Sequence, residues 1–452
     1  MSSLLPFVVA LGFVAPAQTE SPFEAGLQLR YQGSVSRVAG GEAGPTLKSV
    51  TLRFLVTQGK SGEGFQLAFL VSERGSGAWS WPERFGRIAV DRGNAALGGK
   101  AGPSAMFDYQ GTPTALSLPL PVFSHPEALQ PGVRWTADGF EHRVTGREQR
   151  ADRDCWKIEV ANRLGAKRLL WVEAGTDLVV ATEQSIFMGQ GDEHRLAMAL
   201  VESRQLPPEE LARETAPLDF LMAIQGKLRR GEVTKPEDLT ADQIEEVSRS
   251  LDEIERLAEK THTRSLAAAI ARDVKEARQR NDQVSQLRTR LVGKAAPEFS
   301  IETLDRRTFG SGHLKGKITV LHFWDYRSEP LVEPYGQVGY LDFLYNKRRS
   351  DGVQVFGVAV DGRLGREGER REALASIRKL RDFMNLSYPI ALDGGEVLAR
   401  FGDPQSVGAK LPLWVVVGRD GSVVHYSAGF YPIHTDEGLK PLEQAVDSVA
   451  VD

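Results

Sequence analysis

Alternating apolar and polar positions dominate the first half of the chain. Val50, Leu52, Phe54 and Val56 alternate with other residues, as do Phe65, Leu67, Phe69 and Val71, and again Trp156, Ile158 and Val160. Arg168–Val172 and Leu178–Thr182 read as further strands. A period of two buries one face of a strand and wets the other, which is the pattern of antiparallel sheet. Turn-forming residues fall between the runs, at Gly40-Gly41, Asn94, Gly98-Gly99 and Gly175-Thr176-Asp177. Residues 21–205 are therefore expected to form an antiparallel β domain.

The period then changes. Pro207-Pro208-Glu209-Glu210 suits the first turn of a helix, where a missing N–H costs nothing and acids meet the positive end of the dipole. Thr240-Ala241-Asp242-Gln243 reads as a capping box. Ile244, Val247, Leu251, Ile254 and Ala258 follow at steps of three and four, and Leu266, Ile270, Val274, Ala277, Val284, Leu287 and Leu291 continue in the same manner. Residues 206–292 thus read as a helical spacer, a hairpin turning near Lys260–Thr263. Its apolar stripes suit packing within the chain, and also an oligomer formed through helices 240–291.

Beyond residue 293 the pattern is mixed. An apolar run, Ile318–Trp324, is followed by a helical stretch over about 330–348, and GVQVFGVAVD (352–361) reads as a strand buried on both faces. Leu374, Ile377, Leu380 and Phe383 mark a helix over 372–385, and a short helix follows at 397–401. Leu411–Val417 and Gly421–Tyr426 flank the tight turn Gly418-Arg419-Asp420-Gly421, and a last helix covers about 436–448. The expected fold class is α+β multidomain: an N-terminal antiparallel β domain, a central helical hairpin and a C-terminal α/β domain over 293–452.

Composition narrows the function. The 452 residues are 41% hydrophobic and 26% charged, an ordinary globular balance. A net charge of −4 offers no basic surplus for phosphates, so no nucleic-acid partner is expected. Leu4–Val14 is apolar and Ala15-Pro16-Ala17 follows, the form of a signal peptide over 1–17. No other run approaches the ~20 apolar residues of a membrane span, so an exported protein of the periplasm or cell surface is expected, with no transmembrane segment after cleavage. A single cysteine, Cys155, excludes an intramolecular disulfide and a CxxC pair. The scattered histidines show no metal-ligand spacing, and no metal or cofactor is expected.

Several C-terminal segments carry a resemblance. Gly293-Lys294-Ala295-Ala296-Pro297-Glu298-Phe299, Leu314-Lys315-Gly316-Lys317, the stretch ITVLHFWDYRSEPLVEP (318–334) and Tyr388–Asp393 together resemble the thioredoxin-like domains of the TlpA/redoxin (AhpC/TSA-like) family. The resemblance implies a thioredoxin-like fold and thiol–disulfide or antioxidant activity. It also sets Ser328 and Leu331 at the positions of the two redox cysteines, with Pro330 between them. Serine does not ionise near neutral pH and leucine is inert, so the redox chemistry is not expected. Ser328, Glu329 and Pro330 instead suit a helix start, with Ser328 as N-cap. A serine nucleophile served by His322 would need an orienting acid, and none is evident.

The resemblance further sets Pro412 at the family's cis-proline, with Leu411 lending backbone groups to a bound extended peptide. Trp324, Tyr326, Ser328, Pro330, Leu411 and Pro412 are then expected to line a peptide groove. More faintly, CWKIEV…RLLWVEAGTDLVVATEQ resembles the curved sheets of exported lipoprotein-handling domains of the LolA type, which implies an apolar concave face. A β-sandwich with a filled core fits the alternation equally. The expected function is binding or scaffolding with a protein or peptide partner. The alternatives are a redoxin-family oxidoreductase or antioxidant, and an apolar-ligand carrier acting through the β domain.

Overall fold

The computed structural model describes residues 22–39, 41–59, 64–75, 81, 84–90, 102–109, 112–123, 129–163, 165–188, 191–228, 239, 241–326, 337–431 and 439–449. The signal segment expected at 1–17 and the helix cap expected at Thr240 lie outside them. The chain divides into two units, Met1–Arg230 with Glu246–Arg272, and Gly231–Glu245 with Asp273–Asp452.

The first unit is built on β1 (Leu27–Ala39), β2 (Glu42–Gly59), β3 (Phe65–Gly75), β4 (Phe85–Val90), β5 (Ser104–Tyr109), β6 (Thr112–Ser117), β7 (Arg134–Ala137), β8 (Phe140–Arg150), β9 (Arg153–Asn162), β10 (Gly165–Glu173), β11 (Val179–Met188) and β12 (Asp192–Gln205). Ten of them make one antiparallel sheet in the order β4-β3-β2-β1-β12-β11-β10-β9-β8-β7, while β5 and β6 pair with each other. Neighbours in this sheet are neighbours in sequence except where β1 meets β12.

The alternation seen in the sequence sets the two faces. Leu29 and Tyr31 of β1, Leu52 and Phe54 of β2, and Leu67 and Phe69 of β3 share one buried core. Phe107 of β5 and Leu116 of β6 join it, so the small hairpin covers that apolar face and side chains fill it. Buried within this unit is a charged set. Glu73 ion-pairs with Arg84 and lies 2.5 Å from Lys48 Nζ, and the Met106 N–H donates to Glu73 Oε1 at 3.1 Å. At the far end of the sheet, Leu170 and Val172 turn to the other face and join a second cluster with Ile158 and Val160.

The helices follow. α1 (Pro208–Leu228) opens on its proline with two acids in the first turn and buries Leu218, Leu221 and Ile224. α2 (Ala241–Arg249) and α3 (Leu251–Ala258) are one expected helix broken at Ser250, and α4 (Arg264–Leu291) is the second arm of the hairpin. The turn between them falls at residues 259–263, as the sequence pattern indicates.

The second unit holds β13 (Ser300–Thr303), β14 (Thr308–Gly310), β15 (Ile318–Trp324), α5 (Val338–Arg348), β16 (Val353–Val360), α6 (Arg370–Met384), β17 (Ile390–Asp393), α7 (Glu396–Arg400), β18 (Leu413–Val417), β19 (Val423–Ala428) and α8 (Lys440–Asp447). Its seven-stranded sheet runs β14-β13-β17-β16-β15-β18-β19. Central β15 is parallel to β16 and antiparallel to β18. On one side of it Val338 and Leu341 of α5, Ile377 of α6 and Leu442 of α8 enclose a core. On the other lie Val397, Leu398 and Phe401 with Leu287 and Leu291 of α4. Helices on both faces explain why strands here read as unbroken apolar runs: all seven residues of β15 are buried. The chain is thus α+β multidomain, with an N-terminal antiparallel sheet, central helices and a C-terminal α/β domain.

Candidate functional site at the end of the central strand

Strand β15 delivers Trp324, Asp325 and Tyr326 to the carboxyl end of the second sheet, where open α/β sheets commonly bind ligands. Residues 327–336 lie outside the described residues, and with them Ser328, Pro330 and Leu331, including the expected N-cap. The site can therefore be built only from the flanking elements.

The Leu411–Pro412 peptide bond is cis, in keeping with what the resemblance implied for Pro412. The register of β15 with β18 pairs Phe323 with Leu413, so the next residues along, Trp324 and Pro412, end adjacent strands. Pro412 is buried and Leu411 half-buried. Trp324 is also buried, its ring edge-on to Phe430 with centroids 5.4 Å apart, and its Nε1 is a buried donor with no hydrogen-bond partner among the described residues.

Tyr326 corrects the sequence reading. Expected on the groove, it lies in the core at 1% exposure. Its hydroxyl sits 3.1 Å from the Tyr388 hydroxyl and 3.4 Å from His322 Nδ1. The reason is Gly357 on neighbouring β16: a Cβ there would collide with the Tyr326 hydroxyl and stand 2.7 Å from the Tyr388 ring. The missing side chain makes the hole that the two phenols fill. Burial raises the pKa of both hydroxyls, so they act as neutral hydrogen-bonding groups. His322 is fully buried between aromatic rings, stacked on Trp414 at 4.0 Å, and belongs to this core network. Of the other residues expected on the groove, Trp324 and Pro412 are buried and Leu411 is half-buried, at the ends of adjacent strands.

Two polar features near the strand ends escaped the sequence reading. Asp393, at the end of β17, accepts from the N–H groups of Gly395, Val397 and Leu398 at 2.8 to 3.1 Å and so caps α7. Its place in Tyr388–Asp393 was legible; its three partners depend on how the chain turns after it. The stretch 361–371 is tied down. Gly362–Gly365 forms a 3-10 turn that buries Leu364, while Arg363 pairs with Asp361 at 2.7 Å and Arg370 with Glu302 at 2.8 Å.

Cys155 lies in the first unit on β9, fully buried, its Sγ 3.5 Å from the Arg153 carbonyl oxygen. Burial, reinforced by the Glu173 carboxylate, pushes its pKa up to about 11. No cluster of metal-ligating side chains occurs among the described residues.

Comparison with known proteins places the second unit. The AhpC/TSA family model matches residues 292–426. The thiol-disulfide oxidoreductase ResA of Bacillus thuringiensis (strain Al Hakam) is 27% identical over 139 residues, which is 30% of this chain and 70% of that protein. ResA of Bacillus anthracis matches to the same extent. Among solved structures, a putative thiol:disulfide interchange protein DsbE from Chlorobium tepidum is 20% identical, covering 35% of this chain and 97% of its own, with a TM-score of 0.27. A putative thioredoxin from Neisseria meningitidis is 22% identical, covering 35% of this chain and 90% of its own, with a TM-score of 0.27. Residues 292–426 of this chain thus match the AhpC/TSA family model, and they contain no cysteine.

Proposed function

We propose that the C-terminal domain binds an extended peptide or protein segment without exchanging disulfides. One observation carries this reading: the only cysteine of the chain is Cys155, outside residues 292–426. Disulfide exchange begins with attack by a thiolate, and a buried thiol with a raised pKa supplies very little of one. Ser328 and Leu331 replace the sulfurs implied by the resemblance.

Several features support a retained groove. Leu411 and the cis Pro412 end β18 beside Trp324, whose buried Nε1 would be satisfied by a peptide carbonyl. Main-chain hydrogen bonding with side-chain pockets is a general mode of peptide capture at sheet margins. The domain limits 21–205, 206–292 and 293–452, and export through residues 1–17, belong to the same reading. Among described residues no helix is long and apolar enough to cross a membrane.

The names of the related proteins favour a second reading, thiol–disulfide oxidoreductase. The two separate in one assay. The purified protein is expected to leave insulin disulfides intact, and Ser328→Cys with Leu331→Cys is expected to form a reducible pair. Reduction by the unaltered protein that persists in Cys155→Ser would overturn the binding reading. Leu411→Arg should at the same time abolish capture of partners retained by the unaltered protein from a native envelope extract.

A further inference from the structure

The helix-covered face of the first unit holds a cation that its surroundings leave unanswered. Strand register sets Arg53 of β2 directly opposite Arg30 of β1, and Arg30 opposite Glu202 of β12. Gln28, two residues along β1, faces Arg204. Like charges opposite each other on one face destabilise a sheet unless something neutralises them.

The acids nearby are already engaged. Glu202 lies 2.7 Å from Arg30, Glu210 lies 2.7 Å from Arg204, and Glu214 lies 3.0 Å from His262 Nδ1 and accepts from the His262 N–H at 3.1 Å. Arg53 is in no ion pair among the described residues, and its Nη1 is buried without a hydrogen-bond partner. Burial and then the charge of Arg30 hold its pKa below the ordinary range, against the opposite pull of the Glu202 and Glu214 carboxylates.

Arg53 also lines a cleft. Gln28, Glu214, His262 and Thr263 share its polar wall, while Leu55, Ala68, Leu70 and Leu218 supply an apolar one. The cleft is small and half open to solvent. A planar guanidinium with free donors is suited to two parallel hydrogen bonds with an oxyanion. Gln28 is held beside it, its Oε1 accepting from Arg204 Nε at 2.9 Å and its Nε2 lying 3.5 Å from His262 Nδ1, which leaves one amide N–H as a donor.

We infer that Arg53 is the anion-holding residue of a binding cleft in the β-sheet unit, one that takes the carboxylate or phosphate group of a small ligand. The bound oxyanion supplies the direct ion-pair partner that Arg53 lacks, and the Glu214 carboxylate on the same wall, kept occupied by His262, limits the site to a single anionic group.

Thermal unfolding of the full chain tests this at constant ionic strength, with sodium chloride replaced by sodium acetate or by sodium phosphate. Acetate, phosphate or both are expected to raise the midpoint by at least about 2 °C over chloride, and which of them does so identifies the group recognised. Arg53→Met should remove the rise, and Arg53→Lys, which keeps charge but loses the fork, should weaken apparent affinity at least about fivefold. Calorimetric titration of the same two salts into the unaltered protein gives a second readout that needs no variant to fold. Equal midpoints in all three salts with no saturable heat would overturn the inference, as would a rise that Arg53→Met and Arg53→Lys both retain in full.

Discussion

In the ten-stranded sheet Lys48, Glu73 and Arg84 are buried as ions, at side-chain exposures of 2%, 2% and 0%. In the second unit a comparable buried polar set is His322 of β15 with Tyr326 and Tyr388 beside the sheet, two phenols and an imidazole joined by hydrogen bonds. The difference follows from strand type. An antiparallel sheet laid down by hairpins alternates in-facing and out-facing side chains, so long charged residues from adjacent strands can meet on one face. Strands covered by helices on both faces admit few polar groups, and those present must find partners within the layer. Removing one ion from the first set leaves a buried charge, whereas changing a member of the second leaves at most an unmade hydrogen bond or a packing fault.

The largest test of that contrast is Glu73→Gln. With the acid gone, Lys48 and Arg84 keep their charges in a site closed to water, and a loss of about 3–5 kcal/mol is expected. Urea unfolding followed by tryptophan fluorescence measures it. A loss below about 1 kcal/mol would erase the distinction between the two sheets.

His425 on β19 sharpens it from the other side, because here the second unit buries a titratable group by discharging it. Burial, then the nearby Arg288 charge, lowers its pKa from 6.5 to about 4. The unfolded chain therefore takes up the proton first. Stability from this group is full above pH 6.5 and falls as pH drops towards 4, by up to about 3 kcal/mol. His425→Gln should flatten that part of the curve, and unfolding free energies at pH 7 and pH 4.5 decide it. A slope unchanged in the variant would assign the acid sensitivity elsewhere.

Gly357→Ala probes packing around the neutral set. The added methyl group meets the Tyr326 hydroxyl and the Tyr388 ring, and about 1–3 kcal/mol of destabilisation is expected. Tyr326→Phe in the same chain should recover part of it by removing the colliding oxygen. Additive losses in the double variant would show that the hydroxyl is not the obstacle.

Much of this was legible beforehand, and the exceptions share a cause. Strands such as Phe65–Gly75 and Ile318–Trp324 announce themselves because a repeat of two, or an unbroken apolar run, is a local property. The turn at residues 259–263 and the helix opening at Pro208 were equally local. Tyr326 was misplaced because it follows a surface-bound strand end in the resemblance, while its true position depends on Gly357, 31 residues later and on another strand. Asp393 gave no sign of which N–H groups it would meet. Arg53 looked like any polar residue on the wet face of an alternating strand.

The sequence by itself determined the order of most elements, the resemblance of the C-terminal segments to thioredoxin-like domains and the absence of a cysteine from residues 292–426, because composition, periodicity and motif order need no knowledge of distant neighbours. Only the tertiary structure decided that Tyr326 belongs to the core, that Cys155 is sealed on β9 and that Arg53 stands opposite Arg30 on the neighbouring strand. Each of those depends on strand register and on which element closes over which face, and these are set by side chains far apart in the chain.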